Sequence, residues 1–348
     1  MPGYSQQGRT KAKSRLFYSS RDIVLAGLFC WVCTLSFAAH AGGSNYGITP
    51  GARVIEGKVS EWPVPTPQFA RDPTPAPDGS IYFVAMGGDK LGHFDPKTQV
   101  FKEWDLPEGT HPHSVLIDPN GVAWLTGKGN GTIVEFHPDG GKTVVHHVPS
   151  GGDPHTAVLD DNGVLWFTEQ GADRIGRLDR KTGAISEYET SGTPYGISID
   201  HEGNVWFCRI SGDMLGKLDP RIGVISDLAT GRGTNPRRMA TAPDGTLWVT
   251  LWGNGRIIHV DPKAMKVIRE YPLPGGPDGG PYAVTIDANG RVFANEFNAD
   301  TIDILDPGTD ATRTIHVPKG TGIRKMVIDQ RGSLWYVGSS SGRLGRVE

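Results

Sequence analysis

A turn glycine followed by an aromatic-centred apolar run recurs along the chain as DGSIYFV, NGVAWLT, NGVLWFT, EGNVWFC, DGTLWVT, NGRVFAN and RGSLWYV. The glycines are Gly79, Gly121, Gly163, Gly203, Gly245, Gly290 and Gly332, spaced by 42, 42, 40, 42, 45 and 42 residues. A fixed period constrains the fold more than any local propensity, because each unit must bury its apolar face against the next copy. The third unit shows the grammar: PHTAVLDD is a short strand, the Asn162-Gly163 turn leads to VLWFTE, and RIGRLD and AISEYET follow. Four strands in a unit of this length make one β-propeller blade. The aromatic three places after each glycine (Tyr82, Trp124, Trp166, Trp206, Trp248, Phe293, Trp335) fills one repeated slot between blades and carries packing rather than chemistry.

The two ends predict how the ring closes. The seventh unit stops at RLGRVE, its third strand, while GKVSEWPVP (57–65) resembles the fourth strands VFKEWDLP and VIREYPLP. The sequence therefore predicts an all-β, seven-bladed β-propeller over residues 53–348, its last blade completed by an N-terminal strand that removes the open edge. Composition agrees: 48 glycines and 26 prolines are about a fifth of the 348 residues, against roughly 12% ordinarily, and leave little room for long helices.

Residues 1–41 read as a secretory signal peptide. Arg9, Lys11, Lys13, Arg15 and Arg21 precede an apolar run from Ile23 to Ala39, and Ala39-His40-Ala41 supplies the small residues before a cut after Ala41. An uncleaved membrane anchor is the alternative. Residues 42–52 then form a linker, and the product is periplasmic or secreted. Cys30 and Cys33 sit inside the apolar run, so only Cys208 remains after cleavage and no internal disulfide can form. The rest of the chain carries 30 basic against 37 acidic residues, which argues against a nucleic-acid partner. A monomer acting on a small molecule is expected.

Propellers gather chemistry where the loops leading into the innermost strands converge. Nine residues before each turn glycine stands Pro112, Pro154, Pro194, Pro236 or Pro281, replaced by Ala70 and Ile323 in the first and last units. The next residue should face the channel mouth, which gathers Arg71, His113, His155, Tyr195, Arg237, Tyr282 and Arg324. Large hydrogen-bonding groups at all seven positions suit an anionic or carbonyl-bearing ligand; a solvated rim is the plainer alternative. Blade two adds His111, and blade three adds Asp153 before its Pro-His pair and Glu169 at the end of WFTE. Asp153 and Glu169 suit Mg²⁺ or Ca²⁺, leaving His155 or His113 as a general base; alternatively, Glu169 pairs with Arg209 of the next blade. The chain has no Walker loop, no GxSxG and no HExxH.

The unit PHTAVLDDNGVLWFTEQGADRIGRLDRKTGAISEYE, with PYGISIDHEGNVWFCR and PYAVTIDANG beside it, resembles the virginiamycin B lyase (streptogramin lyase) family of seven-bladed propellers over residues 57–348. The resemblance implies a Mg²⁺-dependent lyase that linearises a cyclic depsipeptide by elimination at its ester bond. In that family a His base removes a proton α to a carbonyl, and no water is consumed. It also implies Pro-His pairs in the last two blades, an acid before the final pair and a Glu after that blade's aromatic strand. Those positions here read Pro281-Tyr282, Gly322-Ile323-Arg324 and Gly338-Ser339. The set His113, Asp153, His155 and Glu169 occurs instead in blades two and three, a rotation the pseudo-symmetry of the ring permits. The expectation is a lyase-like enzyme with His155 as base, His113 in support, Asp153 and Glu169 on Mg²⁺, and Arg71, His111, Tyr195, Arg237, Tyr282 and Arg324 around the ligand. The alternatives are a binding propeller without turnover and a lactonase-type hydrolase.

Overall fold

The computed structural model describes residues 49–348; the expected signal peptide, with Cys30 and Cys33, lies outside the described residues. Seven antiparallel four-stranded sheets follow one another in chain order. Blade one spans Ala70–Asp105, blade two Pro112–His147, blade three Pro154–Glu189, blade four Pro194–Ala229, blade five Pro236–Pro272 and blade six Pro281–His316. In blade seven the strand Val59–Pro63 pairs with Arg343–Val347, in register from Val59 opposite Val347 to Pro63 opposite Arg343. The N-terminal strand thus closes the ring, as the sequence predicts. The segment before it also packs on the ring: Gly51 N–H donates to the Asp329 carbonyl and Ile55 is buried.

The core lies between blades. One apolar cluster joins Tyr82, Val84 and Leu91 of blade one to Val115, Leu125 and Val134 of blade two, and another joins Val327 and Trp335 of blade seven to Ile81 and Phe83 of blade one. The repeated Trp is fixed at its polar end as well. Trp206 Nε1 donates to Asp200 at 2.8 Å and Trp335 Nε1 to Asp329 at 2.9 Å, while the other oxygen of each Asp accepts backbone N–H groups of the turn. This is why an Asp stands six residues before each of these tryptophans. The glycine of the IGRLD motif has an equally direct cause: a Cβ on Gly176 would lie 2.1 Å from the Phe167 ring. Cys208 is buried and free, and burial pushes its thiol well above the ordinary value.

Two repeated backbone features position the site. The residue before each inner strand (Phe69, His111, Asp153, Thr193, Asn235, Gly280 and Gly322) has positive φ, from 41° at His111 to 72° at Gly322. Within each inner strand the register then slips by one residue: Pro154 faces Glu169, yet Ala157 faces Phe167. The same bulge recurs in all seven blades. A bulge sets two residues against one on the partner strand and re-aims side chains. The second and third residues of each inner strand are therefore both available to the axis.

Candidate functional site at the channel mouth

The first layer holds the residues read from the sequence. His113 and His155 are buried with ring centroids 3.5 Å apart, and His155 lies 4.1 Å from the Tyr195 ring. The hydroxyls of Tyr195 and Tyr282 share a short hydrogen bond. Arg324 Nη1 donates to the Tyr282 hydroxyl at 3.2 Å, and its Nε to Ser339 Oγ at 3.0 Å. The Arg324 guanidinium lies 5.2 Å from the Phe69 ring, 5.3 Å from Tyr282 and 4.9 Å from Phe297. Arg237 is walled in the same way by Tyr195, Trp252 and Tyr282. Aromatic walls of this kind hold a guanidinium in place through its cationic face while its N–H edge stays free to bind.

The second layer was not anticipated: Asp72, Thr156, Arg238 and Lys325, each two residues into its inner strand. Asp72 is fully buried, with φ of 49°. Its Oδ1 accepts from Arg71 Nε at 3.2 Å and its Oδ2 lies 3.6 Å from Arg238 Nη2. Arg238 crosses the axis to donate from Nη1 to Thr156 Oγ1 at 2.9 Å. Charged residues inside strands that are otherwise fully buried were the available signal, but it requires the bulge to be known. Strict alternation would have turned the third residue away from the axis.

The charges explain the titration of the whole cluster. Burial alone would raise Asp72, yet Arg71, Arg238 and Lys325 hold it below the usual carboxylate range. Burial, reinforced by the arginines, pushes both His113 and His155 well below their ordinary value, so both are neutral. Burial pushes Tyr195 up to about 12. Tyr282 goes the other way: burial is outweighed by Arg71, Arg238 and Arg324, which favour its phenolate. Burial, together with Arg238 and Arg71, brings Lys325 down to about 8. The tautomer of His113 follows from its partner. Nδ1 lies 2.7 Å from the His155 carbonyl, which can only accept, so Nδ1 carries the proton and Nε2 the lone pair. His155 Nδ1 is engaged with Thr156 Oγ1 at 2.8 Å.

The remaining expected residues lie elsewhere. His111 is exposed; its ring faces Gly129 and its N–H is held by Asp89. Asp153 occupies one of the positive-φ positions and its Oδ2 accepts from Lys128 Nζ at 3.2 Å. Glu169 turns away from the axis to Ser150 and Glu187; burial, then Glu187, raises it to about 7. Arg209 pairs with Asp227 at 2.8 Å, not with Glu169. Among the described residues no three His, Cys, Asp or Glu side chains converge on a point that could hold a metal ion. With Asp153 tied to Lys128 and Glu169 turned to Ser150, Asp153, Glu169 and His155 do not converge to fit a divalent cation.

The comparisons agree with this architecture. The family model described as the virginiamycin B lyase family matches residues 108–348. A solved structure described as a streptogramin B lyase superposes with a TM-score of 0.76 at 20% identity, covering 84% of this chain and 97% of that one. Virginiamycin B lyase from Staphylococcus aureus gives 0.76 at 19% identity, covering 83% and 98%. Hydrazine synthase of Kuenenia stuttgartiensis gives 0.72 at 16%, covering 85% and 99%. Identities this low establish a shared fold. Among curated proteins none matches the sequence significantly. With well over half of its length matched by the family model, the chain belongs to the virginiamycin B lyase family.

Proposed function

We propose that this chain is a lyase-type propeller that takes a small carbonyl- or carboxylate-bearing ligand, of the lactone or cyclic ester class, at its channel mouth and opens it by elimination. The observation that carries the reading is the fixed tautomer of His113, whose Nε2 lone pair sits beside His155 within an arginine-rich mouth. Nε2 would take the proton α to the carbonyl as the C–O bond breaks, a double bond forms and the carboxylate departs, so the product keeps the mass of the substrate. Arg237 and Arg324, held on their aromatic walls, would receive the carbonyl oxygen as charge develops on it. The role of base thus moves from His155 to His113, because the Thr156 hydroxyl can either donate to or accept from His155 Nδ1 and does not fix its tautomer.

The test is a screen of lactones and cyclic depsipeptides read by product mass. Unchanged mass lost in His113→Gln supports elimination; a gain of one water indicates hydrolysis and overturns it. A second reading, capture without turnover, draws on the depth of the imidazoles, each only 2% exposed and held neutral by the surrounding cations. Calorimetric binding of a lactone that emerges chemically unchanged would favour it. Both readings place the chain outside the cytoplasm as a monomer; intact mass of exported material beginning after Ala41 tests this.

A further inference from the structure

Below the mouth the channel narrows to a cavity of about 20 Å³, lined by Thr156, Ile197, Arg238, Met239, Ala283 and Lys325. That is room for one particle the size of a water molecule. Its electrostatics are unbalanced. Arg71, Arg238 and Lys325 are all more than nine-tenths buried, and the single carboxylate among them is Asp72. His113, His155 and Tyr195 are neutral, so only a Tyr282 phenolate could supply a second negative charge. Arg71 Nη2 and Arg238 Nε have no hydrogen-bond partner in the protein, Arg238 Nη2 has only the Asp72 carboxylate at 3.6 Å, and Arg238 lines the cavity. Buried guanidinium N–H groups left without acceptors are costly, as is an excess of buried charge of one sign.

We propose that this cavity is a binding site for a single monatomic anion of the halide class, held by Arg238 and Lys325 with the Thr156 hydroxyl at its edge. So small a cavity suits a monatomic ion better than a tetrahedral oxyanion such as sulfate, which needs several times the volume of one water. A bound halide supplies the acceptor that the free N–H groups lack. It also ties together blades three, five and seven, from which Thr156, Arg238 and Lys325 come. The ion would act as a pin on the ring axis, separate from the ligand position at the mouth.

The direct test is a crystal of the wild-type protein grown from chloride-free solution and soaked in sodium bromide. An anomalous peak in the channel within hydrogen-bond reach of Arg238 and Lys325 is expected. In solution, chloride or bromide should raise Tm by a few degrees over gluconate at equal ionic strength, since a ligand that binds only the folded state stabilises it by mass action. Lys325→Met should lose that dependence on the anion. Bromide peaks confined to the surface, or a Tm that follows ionic strength alone in the wild type, would overturn the proposal. The bromide soak needs no variant, so a misfolded Lys325→Met leaves it decisive. Neither measurement involves an organic ligand, so failure of the lyase reading leaves this result standing, and the reverse holds too.

Discussion

The two sides of the channel mouth are built from the same bulged strand yet behave as opposites. On the side of blades two and three, neutral imidazoles stack and are fixed by the backbone: the His155 carbonyl accepts from both His113 Nδ1 and Thr126 Oγ1. On the side of blades four to seven and one, four arginines and a lysine crowd around a single buried carboxylate and two tyrosines. The halves are not independent. Arg71 and Arg238 lie among the groups that push both histidines down, so the cationic half keeps the imidazole half unprotonated. The scaffold supplies seven equivalent positions, and what distinguishes them chemically is charge reaching across the axis.

The largest expected effect separates the halves by function. His113→Gln should lower turnover of any substrate by 10²- to 10⁴-fold, the usual contribution of a positioned base, with affinity for an unreactive analogue nearly unchanged. Equal losses in turnover and affinity would mean that the imidazole half binds rather than reacts. Next comes the keystone of the cationic half. Asp72→Asn should cost on the order of 3–5 kcal/mol in urea unfolding, the range for removing one partner of a buried ion pair. Asn tolerates the positive φ found at Asp72, so the loss would report charge and not backbone strain. An effect below about 1 kcal/mol would show that the arginines are balanced by other means.

Blades three and six repeat the contrast away from the axis. Glu169 and Glu296 occupy equivalent positions, and burial raises each to about 7; Glu187 reinforces the first and Asp303 the second. Each carboxyl ionises later in the folded chain than in the unfolded one, so the folded state holds the extra proton between about pH 4.5 and 7. Stability is therefore full below the unfolded value and falls as pH rises through the folded one. Glu169→Gln should flatten that decline and gain about 2 kcal/mol relative to wild type above pH 8. Glu296→Gln should do the same and leave Asp303 raised, since burial is the main cause of that shift and Glu296 only opposes it. Unaltered stability–pH curves for both variants would place the cause of the decline elsewhere.

Much of this could be read from the sequence, and the limits are physical. Blade number, the closing strand and the first layer of mouth residues follow from the period, since equivalent residues in a closed ring must converge. His113, His155, Tyr195, Tyr282, Arg71, Arg237 and Arg324 are placed at the mouth in this way. The second layer was invisible because it depends on the bulge, a one-residue slip that leaves no mark in apolar alternation. Asp153 and Glu169 misled for the opposite reason. Their shared place at the mouth end of blade three suggests a ligand pair, but a residue before the inner strand must adopt positive φ, and an Asp there serves the turn. Glu169, at the strand end, faces outward to Ser150.

The smallest effect is the most discriminating between rim and site. Arg324 is partly exposed, and its hydrogen bonds run to the Tyr282 hydroxyl and Ser339 Oγ. Arg324→Gln should therefore change stability little, because the guanidinium is not part of the buried balance around Asp72. The loss of a cation beside Tyr282 should raise that phenol toward its ordinary value, visible as a shift of its ultraviolet titration to higher pH. Affinity for a carboxylate-bearing ligand should fall about tenfold, equivalent to ~1.4 kcal/mol, whereas an uncharged lactone should lose less. A solvated rim would give the spectroscopic shift without the difference between ligands. If neither appears, Arg324 is held by its aromatic walls alone and the cationic half ends at Arg237 and Arg238.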